Sequence, residues 1–372
     1  MLIAFKKILF LILLLIEGTL LFAQYDSINQ RIVLIGDAGQ LTGGRQPELD
    51  LLKSIYNLDD ARTSLIYLGD NIYPAGLPSV KAKNYAIMQH ILQSQVEVVK
   101  GKKSQAFFIP GNHDWKKGKK YGWEQVKNQF NYIESLREDN IHFVPENGCP
   151  GPVEIKLANE IVLVVMDTQW WLHPFKKPGV SSDCKCKTTN DVISSLQDIL
   201  FRNRDKLLLF ASHHPFRTNG KHGGYFTWKQ HLFPLTDIHP SLYIPLPVIG
   251  SIYPILRGMF GNIQDTRHPV YKRMVRSIDE VLKTHPYSIR TAGHEHTLQL
   301  IRDEGQYYIV SGGGSKSDQV KKVPSTIFAS PSTGFAVLEI LTNGKIWLKF
   351  FSSRNLPREQ PLFSTLLKSL NQ

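Results

Sequence analysis

The chain has 372 residues, with 42% hydrophobic and 20% charged residues and 44 Lys and Arg against 32 Asp and Glu. That composition excludes a disordered or fibrous chain and allows two domains or one large domain with insertions. The net charge of +12 favours anionic ligands but is too diffuse to mark a nucleic-acid binder, and three cysteines exclude a disulfide-built scaffold.

The first 23 residues read as an export signal. Lys6 and Lys7 precede an apolar run from Ile8 to Ile16, and Glu17 and Gly18 interrupt it. The run falls well short of the roughly 20 residues a membrane span needs. Ala23 is a small residue suited to cleavage before Gln24. Residues 24–372 are then expected as a single exported domain, periplasmic or secreted, with no transmembrane span. In an oxidising compartment Cys149 would pair with Cys184 or Cys186; buried free thiols are the alternative.

Short apolar runs then alternate with helix-like stretches. Residues 31–35, 65–68, 106–109, 161–166, 207–210 and 307–310 predict buried strands, and 335–341 with 346–351 predict a hairpin around Asn343-Gly344. Helices are predicted near 47–59, 80–100, 123–138, 190–204 and 270–284. The alternation implies an α/β fold with much non-parallel strand toward the C-terminus. Residues 223–268 break the rhythm with prolines and aromatics such as Trp228, Tyr243, Pro247, Tyr253, Pro254 and Phe260. This insertion reads either as a lid over a site or as a subdomain covering its own sheet, and offers a peripheral membrane contact.

Five short motifs follow predicted strands: Gly36-Asp37, Gly69-Asp70-Asn71-Ile72-Tyr73, Gly111-Asn112-His113-Asp114, Ser212-His213-His214 and Gly293-His294-Glu295-His296. Strand C-terminal ends collect ligand sites in α/β sheets. Each motif alone is ordinary, since Gly-Asp is most often a turn and Asn-His-Asp often a helix cap. Together they supply hard oxygen donors and borderline nitrogen donors. Two cations about 3.5–4 Å apart can clamp a phosphoryl group and activate a water, and one carboxylate, Asp70, has the two oxygens needed to bridge them.

This ordered set resembles the calcineurin-like metallophosphoesterases, and Tyr73, three residues after Asp70, narrows the resemblance to the purple acid phosphatases of the small tartrate-resistant type. The resemblance implies a four-layer αββα sandwich with mixed sheets and a metal site at strand C-terminal ends. It implies that Asp37, Asp70, Tyr73 and His296 hold Fe(III), and that Asp70, Asn112, His213 and His294 hold a divalent Fe, Zn or Mn ion. Asn112 and His113 would bind substrate phosphate. His222, nine residues after His213, would be the proton donor, with His268 at the far end of the insertion as its rival. His214 is expected in packing or a supporting role, and Asp114 as a cap or as the residue that fixes His113. Ser311 to Ser315 is expected as a tight turn near the metals, and Asp167, Trp170 and Trp171 as packing.

Lysines crowd residues 81–120, ending in Lys116-Lys117-Gly118-Lys119-Lys120, which reads either as a solvated loop or as a steering surface for anions. The expected function is an exported binuclear phosphomonoesterase acting on a phosphorylated small molecule. A phosphodiesterase or nucleotide pyrophosphatase is the alternative within the enzyme class, and a non-catalytic cell-envelope module the alternative outside it.

Overall fold

The computed structural model describes residues 27–237, 241–354 and 360–367; the expected export signal at 1–23 lies outside them. The first sheet contains β1 (Ile28–Ile35), β2 (Thr63–Tyr67), β3 (Gln105–Phe108), β4 (Ile141–Phe143), β12 (Phe335–Leu341), β13 (Ile346–Phe351) and β14 (Phe363–Leu366). Its order is β14-β13-β12-β1-β2-β3-β4, with β1 to β4 parallel and the others antiparallel. The second sheet contains β5 (Val153–Ala158), β6 (Ile161–Val165), β7 (Leu207–Ala211), β8 (Ser288–Ala292), β9 (Leu298–Asp303), β10 (Gln306–Ser311) and β11 (Thr326–Ser330). Its order is β11-β9-β10-β8-β7-β6-β5, and β6, β7, β8 and β10 run parallel.

Strand periodicity divides the core into layers. Along β1, Ile32 and Leu34 pack between the sheets with Leu163, Leu209 and Ile309, while Val33 and Ile35 face helices. Helices α1 (Pro47–Ile55), α2 (Tyr85–Val96) and α3 (Gly122–Ser135) cover that outer face through Leu52, Leu92 and Val126. After the short α4 (Thr168–Leu172), α5 (Thr189–Arg202) covers the second sheet, as does α8 (Pro269–Leu282), through Leu196 and Ile278. The result is the αββα sandwich. Strands buried on both faces read as unbroken apolar runs, which is why the central ones are visible in the sequence.

The helices begin where capping chemistry allows. Pro47 and Pro269 open α1 and α8, and Thr188 with Asp191 forms a capping box on α5. The insertion is more ordered than its prolines suggest, carrying α6 (Trp228–Leu232) and α7 (Ile252–Phe260). Cys149 bonds to Cys184, and Cys186 is buried and free.

His173, just after α4, is 2% exposed and packs on Trp115 with ring centroids 4.7 Å apart. Neither ring nitrogen has a hydrogen-bond partner among the described residues. Burial, helped by Lys177, pulls its pKa from 6.5 down to about 4. Between those values the unfolded chain binds a proton that the folded chain refuses. The contribution is therefore complete above pH 6.5 and is lost as pH falls toward 4. His173→Phe should lose less stability over this window than the parent. Urea midpoints measured across it test this, and equal slopes would mean that His173 titrates normally.

Candidate metal centre

The site forms where parallel strands of both sheets end. Asp37 follows β1, Asp70 follows β2, Asn112 follows β3, His213 follows β7 and His294 follows β8. The loops approach so closely that side chains are excluded at their glycines. A Cβ on Gly111 would lie 2.4 Å from Asp70 N, and one on Gly69, whose φ is +90°, would lie 2.5 Å from His213 Nδ1. Asp37, Asp70 and His294 themselves adopt left-handed backbone, with φ of 61°, 55° and 68°. Such conformations persist where surrounding structure over-determines them, as at functional sites.

Hydrogen bonds pointing away from the centre decide which atoms face it. His213 Nδ1 lies 2.8 Å from the Leu68 carbonyl and His294 Nε2 lies 2.8 Å from the Gln264 carbonyl. A carbonyl only accepts, so each nitrogen there carries a proton, and the other nitrogen of the ring is the one that faces inward. Those inner atoms, His213 Nε2 and His294 Nδ1, are 3.2 Å apart, and each is 3.0 Å from Asn112 Oδ1. Three lone-pair donors converging at this spacing fit a cation.

The second group is centred on Asp37. Its Oδ1 accepts from Tyr73 Oη at 2.8 Å and lies 3.5 Å from His296 Nε2, while its Oδ2 accepts from His294 N at 2.7 Å. His296 Nε2 is 3.1 Å from Tyr73 Oη, and its Nδ1 is 2.9 Å from Asp318 Oδ2. Asp318 thus orients His296 as the carbonyls orient His213 and His294. Asp70 lies between the two groups: ligand atoms of Asp37, Asp70 and His213 all fall within 4.8 Å of one another, with Asp70 Oδ1 3.5 Å from His213 Nε2 and accepting from His113 N at 2.7 Å. The carboxylates, imidazoles, amide oxygen and phenol are donors that could hold metal ions.

The electrostatics are those of a buried charged cluster. Burial works against the Asp70 carboxylate, but His213, His113 and the His113 N–H outweigh it and hold the pKa at about 2. Burial opposes protonation of His296, yet Asp318 and Asp37 push it up to about 10. The Tyr73 phenol is raised well above its usual value by burial and by Asp37 and Asp70. A bound cation reverses this logic for phenol and imidazole alike, so metal and proton compete for the same atoms.

His113 stands at the edge of the centre. Its Nδ1 lies 2.7 Å from the Pro74 carbonyl, leaving Nε2 3.8 Å from Asp70 Oδ2. Burial lowers its pKa, Asp70 and Pro74 oppose that, and Lys316 and Lys117 add to it. His222 Nδ1 lies 2.8 Å from Asp265 Oδ1, and its ring packs on His294 with centroids 3.9 Å apart. His268 instead accepts from Val270 N and caps α8. His214 lies close to His213 and His294, but Thr168 Oγ1 and Gln264 Oε1 occupy both its nitrogens, so its role is support. Asp114 accepts from the N–H groups of Gly111, Asn71 and Ile72 and braces the Asp70 loop; it does not fix His113. The 311–315 turn supports Asp37, whose carbonyl accepts from Ser315 Oγ. Asp167 accepts from Trp170 N and Trp115 Nε1, a packing role.

Several residues were not singled out by the motifs. Asp318, Asp265 and the Gln264 carbonyl orient the site histidines, and Glu295 accepts from the N–H groups of Lys221 and His222. Lys316 Nζ lies 3.2 Å from the Tyr73 ring centroid. None follows a strand with a telling neighbour, except Glu295, which lies inside the last motif between two histidines. Asp318→Asn should weaken one of two metal-binding steps by about 10–100-fold and spare the other. A competitive chelator titration reads both steps, and unchanged affinities would remove Asp318 from the account.

Neither a protein-family model nor a curated protein matches the chain in sequence. Similarity appears in three dimensions. The chain is similar to "GAP50 the anchor in the inner membrane complex of Plasmodium", with TM-score 0.58, 16% identity, and 92% of this chain and 90% of that one covered. It is also similar to a purple acid phosphatase from yellow lupin (Lupinus luteus) seeds, with TM-score 0.54, 14% identity and 91% of this chain covered. It spans 53% of that plant protein's length. The chain shares the fold of these two proteins.

Proposed function

We propose that the protein is an exported phosphomonoesterase that works with two metal ions. The convergent donor set carries this reading: Asp37, Tyr73 and His296 on one side, Asn112, His213 and His294 on the other, and Asp70 between them. The cations would supply an activated water and neutralise charge on the phosphoryl oxygens. Tyr73 is a hard donor that suits Fe(III), with divalent Fe, Zn or Mn as the partner ion. Asn112 and His113 hold the substrate phosphate, and Lys117 and Lys316 add positive potential beside His113. His222 protonates the leaving oxygen: Asp265 accepts a hydrogen bond from its Nδ1–H and leaves Nε2 as the exchanging atom.

Two observations favour a rival role as a non-catalytic anchor: the likeness to a protein described as an anchor and the apolar surface of the insertion. A complete donor set speaks for catalysis, and pocket shape would decide between monoesters and diesters. Export is supported by the Lys6-Lys7 apolar run and by the Cys149–Cys184 bond.

Oxidised protein holding Fe(III) at Tyr73 should be coloured by phenolate-to-iron charge transfer. Tyr73→Phe should bleach it with the fold intact, whereas a colourless active protein would sink the iron assignment. The proton donor is tested by leaving groups. A nitrophenolate departs without protonation and an alkoxide does not. His222→Ala should slow alkyl phosphate hydrolysis by about 10²–10⁴-fold and nitrophenyl phosphate hydrolysis far less. The same pattern in His268→Ala instead would reverse the assignment, and no turnover by the parent protein would end the phosphatase reading.

A further inference from the structure

Surface helices normally turn apolar residues inward. In α7 the arrangement is inverted. Its buried residues are Pro254 and Gly258, while Ile252, Tyr253, Ile255, Leu256, Met259 and Phe260 are 44–62% exposed. At 100° per residue these six cover an arc of roughly 160°. Beside the helix, Val248 is 86% and Ile249 68% exposed, with Tyr243 and Ile244 close behind. Trp228 extends the same subdomain, because α6 packs against residues 249–251 and α7. Scattered exposed apolar residues are ordinary, but a cluster of this kind marks an interaction surface.

The charges identify the occupant. Residues 241–264 contain one charged side chain, Arg257, and its guanidinium is bound to buried Asp265 at 2.9 Å. The face therefore carries no acid. Exposed Lys229 and Arg267 flank it, Arg267 lying over Gly224 where Gly258 of α7 approaches. Trp228, Tyr243 and Tyr253 add amphipathic rings of the kind that settle at the boundary between lipid and water. A broad convex apolar arc with basic and aromatic margins matches the interface of an anionic bilayer, which needs no complementary groove. We propose that the 243–260 face of the insertion seats the protein on an anionic lipid surface. The inference does not depend on the phosphatase reading, although docking would place the rim of the metal centre, two residues from Gly224 at His222, against the membrane.

The test uses a local probe, so that membrane contact by any other part of the chain does not confuse it. Met259→Cys carries an environment-sensitive fluorophore, with Val180→Cys, which is 77% exposed in another part of the chain, as control. The titrant is vesicles of phosphatidylcholine with about one third phosphatidylglycerol. The expected result is a blue shift and brightening at position 259 alone, weaker on pure phosphatidylcholine. Adding Leu256→Asp and Phe260→Asp should raise the lipid concentration needed by at least about tenfold. Circular dichroism checks that these exposed substitutions leave the fold unchanged. No spectral change at 259, or the same change at 180, would overturn the proposal. Self-association without lipid that the double aspartate variant abolishes would also overturn it and assign the face to a second copy of the chain.

Discussion

The outward hydrogen bonds of the site histidines determine what the centre can do. The carbonyls of Leu68 and Gln264 and the Asp318 carboxylate each accept a hydrogen bond on the far side of a ring, and that fixes which nitrogen of His213, His294 and His296 faces inward. Without these acceptors the rings would be free to exchange tautomers or rotate, and donor atoms 3.0–3.2 Å apart would not be held together. The rest of the fold serves this geometry. Parallel strands of two sheets end at one place, glycines let their loops touch, and three candidate ligand positions hold strained left-handed backbone, each costing about 1–3 kcal/mol. The layered apolar core on both sides of each sheet offsets that cost.

The insertion belongs to this arrangement at one end and departs from it at the other. Residues 262–268 are tied into the site: the Gln264 carbonyl orients His294, its side chain holds His214, and Asp265 holds His222. Arg257 reaches back from α7 to fix Asp265 with two hydrogen bonds. The apolar residues nearby turn outward. Neither a detachable lid nor a simple cover over the sheet describes such a segment. Its base helps to build the centre, while its outer face is left to interact with something else.

The sequence made legible what repeats a local physical pattern. Central strands such as Ile161–Val165 and Leu207–Ala211 are unbroken apolar runs, and α5 announces itself with Thr188 and Asp191. The candidate ligand motifs were visible because a donor residue recurs after five strands, with glycine just before it in four of them. Strand β8 has no such apolar run, because it carries Arg290, whose guanidinium bonds to Asp279, Ser288 and Gln306. Strand β4 is only three residues long, and β5 alternates polar and apolar residues beside a turn. Asp318, Asp265 and Gln264 act through single acceptor atoms brought close by tertiary folding, and no spacing in the chain encodes that.

The central claim is that one carboxylate, Asp70, joins two cation sites. Elemental analysis of the purified protein, with Asp70→Asn prepared in parallel, tests it most directly. The account predicts about two metal equivalents per chain in the parent and loss of both in the variant, with folding retained, because one residue serves both ions. A parent that binds no metal, or an Asp70→Asn protein that keeps its full complement, would contradict the account.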